Sequence, residues 1–136
     1  MLLVRQYPWS SFAHTCNHVA GLTFLGVTIV QYRDKTSDTG VLISTAKKLH
    51  EKCKAHGIPL LINDRVDVAL AVGCEGVHLG QDDMNVVEAR RILGEGRIIG
   101  ATVSSIEEAR IAVSHSPLSN RTQSNSHLRL NEEQTT

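Results

Sequence analysis

The sequence has no CxxC pair, no GxGxxG, no GxxxxGK[ST] and no GxSxG, and its first acidic residue is Asp34. Each gap removes a class. Cysteines at positions 16, 53 and 74 leave an odd thiol, which favours a reducing compartment with Cys53 and Cys74 as small packed side chains. Without a dinucleotide fingerprint or a P-loop, nucleotide-binding open sheets lose ground. Without a nucleophile elbow, or any Ser-His-Asp or Cys-His arrangement, covalent catalysis is not indicated. Fourteen basic and fourteen acidic residues give zero formal net charge with no basic stripe, so nucleic acid is not an expected partner. The acid-poor start fits a transit peptide badly, because the first 32 residues hold one Arg and no Lys. "VAGLTFLGVTIV", residues 19–30, is too short to cross a bilayer, and Arg5, Gln6 and Pro8 interrupt the early apolar run. A soluble cytoplasmic protein, away from membranes, is expected.

At 136 residues the chain can build one domain with a real core, not two. From residue 26 to 113 short apolar runs alternate with helical patterns. The strand candidates are Val27–Tyr32, Pro59–Asn63, Gly76–Gly80 and Ile98–Ala101. Val27, Ile29 and Val30 make the first of them apolar on both faces. Between the first two, Leu42, Ala46, Leu49 and Cys53 fall on one helical stripe, with Asp38 placed to cap it and Gly57 and Pro59 to end it. "RVDVALAVG" predicts a shorter helix closed by Gly73, and "NVVEARRILGEG" one that turns Val86, Ala89 and Leu93 to one side and stops at Gly94 or Gly96. "SSIEEARIAV" offers a capping box as Ser104 with Glu107 or Ser105 with Glu108, and an apolar face of Ile106, Ala109 and Val113. Such alternation predicts βαβ units and a parallel sheet, leaving an open doubly wound sheet and a (β/α)8 barrel both in play.

Four polar groups fall where strands end, which is where parallel α/β sheets place their sites. Gln31, Arg33 and Lys35, spaced by two, share a face if the strand continues, and two cations with an amide suit phosphate or diphosphate oxygens. A solvated strand end would look the same. Asn63-Asp64 follows "PLLI", and "HLGQDD" ends in Asp83. Carboxylates facing diphosphate-binding cations repel the ligand unless a metal bridges them, and Mg2+ suits Asp64 and Asp83, with water and phosphate completing its shell. The plainer reading is that Asp64 and Asp82 cap the helices that follow. Thr102 could meet a phosphate at the next helix start or serve as a turn residue. His78 alternates with Val77 and Leu79, so it points into a barrel or is a satisfied core histidine. "HTCNH", His14 to His18, has metal-type residues without a recognised zinc spacing, and the Asn120 sequon lacks a secretory context.

Together "QYRDK", "PLLINDRVDVALAVGCEGVHLGQDD" and "IIGATVSSIEEA" resemble the thiamine-phosphate synthase family, above all the synthase half of fungal enzymes that also carry a hydroxyethylthiazole kinase. The resemblance runs over about residues 26–113. It implies a TIM barrel that joins an aminomethylpyrimidine-methyl diphosphate to a thiazole phosphate with Mg2+, releasing diphosphate. It further implies that Gln31, Arg33, Lys35, Asn63 and Thr102 bind the pyrimidine diphosphate and that Asp64 and Asp83 hold the metal. A thiazole tautomerase, a related barrel, would not need that full set. A non-catalytic fragment that binds ligand or a partner is the other alternative.

The match is partial. A TIM barrel takes roughly 200 residues or more, whereas about five βα units are visible. The family's usual first strand and helix are not evident in residues 1–25, a divergent segment. Its late phosphate loops are missing, and residues 114–136 read as a polar, disordered tail. Both ends look replaced, as by truncation. The expectations are an incomplete barrel, impaired coupling, and exposed sheet edges that invite pairing with a second copy.

Overall fold

The computed structural model describes residues 2–5 and 26–114. "HTCNH", Cys16, the Asn120 sequon and the polar tail beyond Ser114 lie outside them. Five four-residue strands are present: β1 Leu2–Arg5, β2 Val30–Arg33, β3 Leu60–Asn63, β4 Gly76–Leu79 and β5 Ile98–Ala101. Between and after them run α1 Thr39–Ala55, α2 Val66–Val72, α3 Val86–Leu93 and α4 Ile106–Ser114. Every strand pair is parallel and the order is β1-β2-β3-β4-β5, without a reversal. A doubly wound sheet needs a switch point where the order turns back. An order that never turns back leaves the helices on one side, as right-handed crossovers require. The molecule is therefore an arc of an α/β barrel.

Leu2–Arg5 corrects one expectation: a first strand does exist, in register with β2 from Leu2↔Val30 to Arg5↔Arg33. Three apolar residues and an Arg are too short a run to show a period; pairing to β2 defines the strand. A second correction concerns β2 itself, which begins at Val30, after Val27 and Ile29. Its two faces differ: Val30 and Tyr32 bury under helices, while Gln31 and Arg33 face the other way.

That division runs through the sheet. Val30, Tyr32, Leu60, Ile62, Val77 and Leu79 form the helix-facing side and pack with Leu42, Ala46, Leu49 and Cys53 of α1, as the spacing predicts. Val66, Val68 and Ala69 of α2 and Ala89 and Leu93 of α3 complete the core. Gly73, with φ +74, closes α2 in the left-handed conformation that glycine adopts at little cost. Asp38 sits at the start of α1, but only its carbonyl engages the helix, accepting from Leu42 N–H. The predicted face of α4 stays uncovered: Ile106 is 71% and Val113 51% exposed.

At the amino ends of the strands, Glu75 fastens three elements. One carboxylate oxygen accepts from Leu60 N–H at 2.8 Å and the other meets His50 Nε2 of α1 at 3.0 Å. Burial would raise the Glu75 pKa, but the Leu60 N–H and His50 outweigh it and hold it below the usual carboxylate range. Glu75→Ala strands the Leu60 donor and should lower stability by about 1–3 kcal/mol, read as a lower urea midpoint at unchanged slope. A depressed pKa stabilises above the unfolded value and loses that contribution as pH falls through the folded one. The gap between wild type and variant should hence close in acid. A constant gap from pH 7 to pH 3 would refute this role.

Candidate functional site

Inner-face side chains at the carboxyl ends of the strands define the candidate site. Register fixes which of them meet. Asn63 pairs with His78, His78 with Gly100, and continuing the β2–β3 register sets Arg33 beside Asn63. Arg33, Asn63, His78 and Gly100 thus form one row across four strands.

Gln31 lies one layer deeper and is 4% exposed. A buried amide needs a partner, and Gln31 Nε2 donates to Asn63 Oδ1 at 2.6 Å. Asn63 is thereby oriented. β2 ends at Arg33, so Lys35 is not the third residue of a strand face as the spacing of two implies. Instead Asp34 builds a turn, its carboxylate accepting from the N–H groups of Thr36 and Ser37, each at 3.0 Å, and from Tyr32 OH at 3.1 Å. Burial would raise the Asp34 pKa; those hydrogen bonds win and lower it. The turn brings Lys35 Nζ onto Asp64 Oδ2, an ion pair. The half-buried side chain of Arg33 has no hydrogen-bond or ion-pair partner among the described residues.

Asp64 does not cap α2. It occupies a left-handed conformation, φ +65, the one non-glycine residue with positive φ among those described. Its N–H donates to His78 O at 2.8 Å, and Arg65 N–H closes a three-residue turn onto Asn63 O at 2.8 Å. Such turns are strained. From this backbone the carboxylate meets Lys35 and makes no cap bond to the helix. Asp82 does not cap α3 either; Asn85 does, accepting from Val87 N–H at 2.8 Å. Asp83 folds back so that Oδ2 accepts from Gly80 N–H at 2.7 Å. A Cβ on Gly80 would lie 2.9 Å from that oxygen, so the glycine makes room for the carboxylate.

The hard oxygens of Asp64 and Asp83, one on each of two adjacent strand mouths, fit a divalent cation that keeps most of its shell as water and phosphate. No cluster of three or more His, Cys, Asp or Glu side chains suited to a metal occurs among the described residues, so protein ligands alone would not close such a shell.

Thr102 follows β5 and donates its N–H to Leu79 O at 2.9 Å. The helix start beyond it is occupied internally. Glu108 accepts from Ser104 N–H at 2.8 Å and donates its own N–H to Ser105 Oγ at 3.1 Å. The Ser105–Glu108 register therefore forms the N-terminal turn of α4. A carboxylate sits at this helix start and disfavours an anion there, whereas the hydroxyl of Thr102 stands outside it. Sequence reasoning left His78 undecided. It is half-buried on the inner face, with Nε2 at 3.1 Å from Thr102 Oγ1. Burial lowers its pKa, opposed by the charge of Asp83. Alternation put His78 on one face or the other; only the strand order shows that this face is the inner one.

Comparison with known proteins places this geometry. The family profile described as thiamine monophosphate synthase matches residues 6–118. A thiamine-phosphate synthase of Agrobacterium fabrum is 55% identical over 89 residues, 65% of this chain and 40% of that protein. A probable thiamine biosynthetic bifunctional enzyme of Schizosaccharomyces pombe is 55% identical over 83 residues, 61% of this chain and 16% of its own length. The solved thiamine phosphate pyrophosphorylase of Pyrococcus furiosus superposes with a TM-score of 0.69 at 31% identity, covering 84% of this chain and 55% of that one. The chain thus spans well under two thirds of the relatives it matches. Over most of its own length, nonetheless, sequence and fold agree: this chain belongs to the thiamine monophosphate synthase family.

Proposed function

We propose that the described unit binds a pyrimidine-methyl diphosphate and serves its coupling to a thiazole phosphate, giving thiamine phosphate and diphosphate in the cytoplasm. What supports this most is the row led by Arg33, a half-buried guanidinium with no partner of its own among the described residues, beside an Asn63 fixed by Gln31. A guanidinium held in that way is ready for two oxygens of one phosphate. Lys35 adds a second cation, and Thr102 a hydroxyl.

In this reading the C–O bond to diphosphate breaks with its electron pair on the leaving oxygen, and the thiazole nitrogen donates its own pair to the pyrimidinylmethyl carbon. That nitrogen has no proton to lose, so no general base is required, in keeping with a site rich in donors and cations. Arg33 and Lys35 stabilise the charge that builds on diphosphate. Gln31 and Asn63 orient the bound substrate. Mg2+, held by Asp64 and Asp83 when bound, would supply further neutralisation of the phosphate oxygens. Because Lys35 pairs with Asp64 in the free chain, ligand and metal would part the two, each taking a new partner of opposite charge.

Differential melting tests the reading. With Mg2+ and the pyrimidine diphosphate at about a hundred times Kd, the wild-type chain should gain about 2.7 kcal/mol, a rise of several degrees in Tm. Arg33→Ala should keep the ligand-free melt and lose the rise. A ligand-blind wild-type melt would overturn the proposal.

A further inference from the structure

We propose that His78 is a positioning residue for diphosphate: its Nε2–H donates to Thr102 Oγ1, which leaves the Thr102 hydroxyl proton for a phosphate oxygen. This rests on the binding role proposed above and assigns a task to a residue outside the diphosphate-contacting and metal-holding set.

The other ring nitrogen identifies the tautomer. A Cβ added to Gly100, the register partner of His78, would lie 2.8 Å from His78 Nδ1. In glycine a hydrogen takes that direction, so a C–H bond points at Nδ1. A lone pair on Nδ1 accepts such a contact weakly, whereas an Nδ1–H would set hydrogen against hydrogen, with no acceptor bonded to it among the described residues. The proton therefore belongs on Nε2, 3.1 Å from Thr102 Oγ1.

A hydroxyl has one proton and two lone pairs. If Nε2 accepted, the Thr102 proton would be spent on the ring and its lone pairs would face an anion. With Nε2 donating, the hydroxyl receives on one lone pair and turns its proton outward, polarised by the bond it has accepted. The backbone that carries this hydroxyl is held in place, because the Thr102 N–H is tied to Leu79 O at 2.9 Å. His78 also stands in the row of Arg33 and Asn63, so the donor it sets faces the same ligand. Gly100 is part of the device, since any side chain there would displace the ring.

Two measurements test the assignment. Nitrogen-15 shifts of the His78 ring in the ligand-free wild-type chain at neutral pH should show Nε2 protonated and Nδ1 bare. Calorimetric titration with inorganic diphosphate in Mg2+ should then show His78→Phe and Thr102→Val each weakening binding by about tenfold, with the double variant no worse than either single one. His78→Gln, which keeps an N–H donor, should recover part of the loss. A protonated Nδ1, or losses that multiply in the double variant, would overturn the positioning role while wild-type binding upheld the site. A wild-type chain that binds no diphosphate would overturn the site reading and this role together.

Discussion

Gly76→Ala should cost this chain at least 3 kcal/mol and leave little cooperative melting. A Cβ at Gly76 would fall far inside van der Waals contact distance of the Ile98 carbonyl oxygen and 2.7 Å from its carbon. Those atoms are backbone of the neighbouring strand, in direct register with Gly76. No rotamer relieves that overlap; only separation of β4 from β5 does. Separation would break the ladder that runs from Ile98 N–H on Glu75 O to Thr102 N–H on Leu79 O, at 2.8 and 2.9 Å. Overpacking costs about 1–3 kcal/mol where side chains can give way, and here backbone must move. Against a typical domain stability of about 5–15 kcal/mol, the loss is a large fraction. Gly40→Ala provides the contrast. Gly40 lies in α1 with nothing within 4 Å of an added Cβ, so alanine should stabilise by about 0.5–1 kcal/mol. A Gly76→Ala melt within a degree or two of wild type would mean that β4 and β5 do not pair as described.

Asp64→Gly should separate stability from binding. At φ +65, Asp64 holds a conformation that glycine adopts freely, and the relief is on the order of 1 kcal/mol or more. The lost ion pair with Lys35, whose side chain is 49% exposed, is worth about 0–1 kcal/mol. A glycine also makes the unfolded chain freer, by about 0.4–1 kcal/mol. These terms nearly cancel, so the melt should move little. Binding of diphosphate in Mg2+ should fall at least a hundredfold, since even outer-shell partners of a metal are worth about 10–100-fold. A variant that melts far lower yet binds normally would make Asp64 a folding residue and remove it from the site.

Strand and helix segments were largely legible in the sequence, because periodicity is local. The stripe Leu42, Ala46, Leu49 and Cys53 buries as read, and Ile98–Ala101 is the strand its apolar run predicts. Single residues before helices were less legible. Asp38, Asp64 and Asp82 each looked like caps, yet none caps through its side chain, while Asn85 does. Capping depends on the backbone angles of one residue, and composition does not fix those.

The sequence by itself determined the βα alternation, the polar strand ends and the family that their motifs belong to. Tertiary structure decided the rest: that the sheet winds without reversal, that Leu2–Arg5 joins it, and that Arg33, Asn63, His78 and Gly100 form one row. The reason is physical. Side-chain period reports what a segment buries, whereas register and strand order are set by hydrogen bonds between segments distant in the chain.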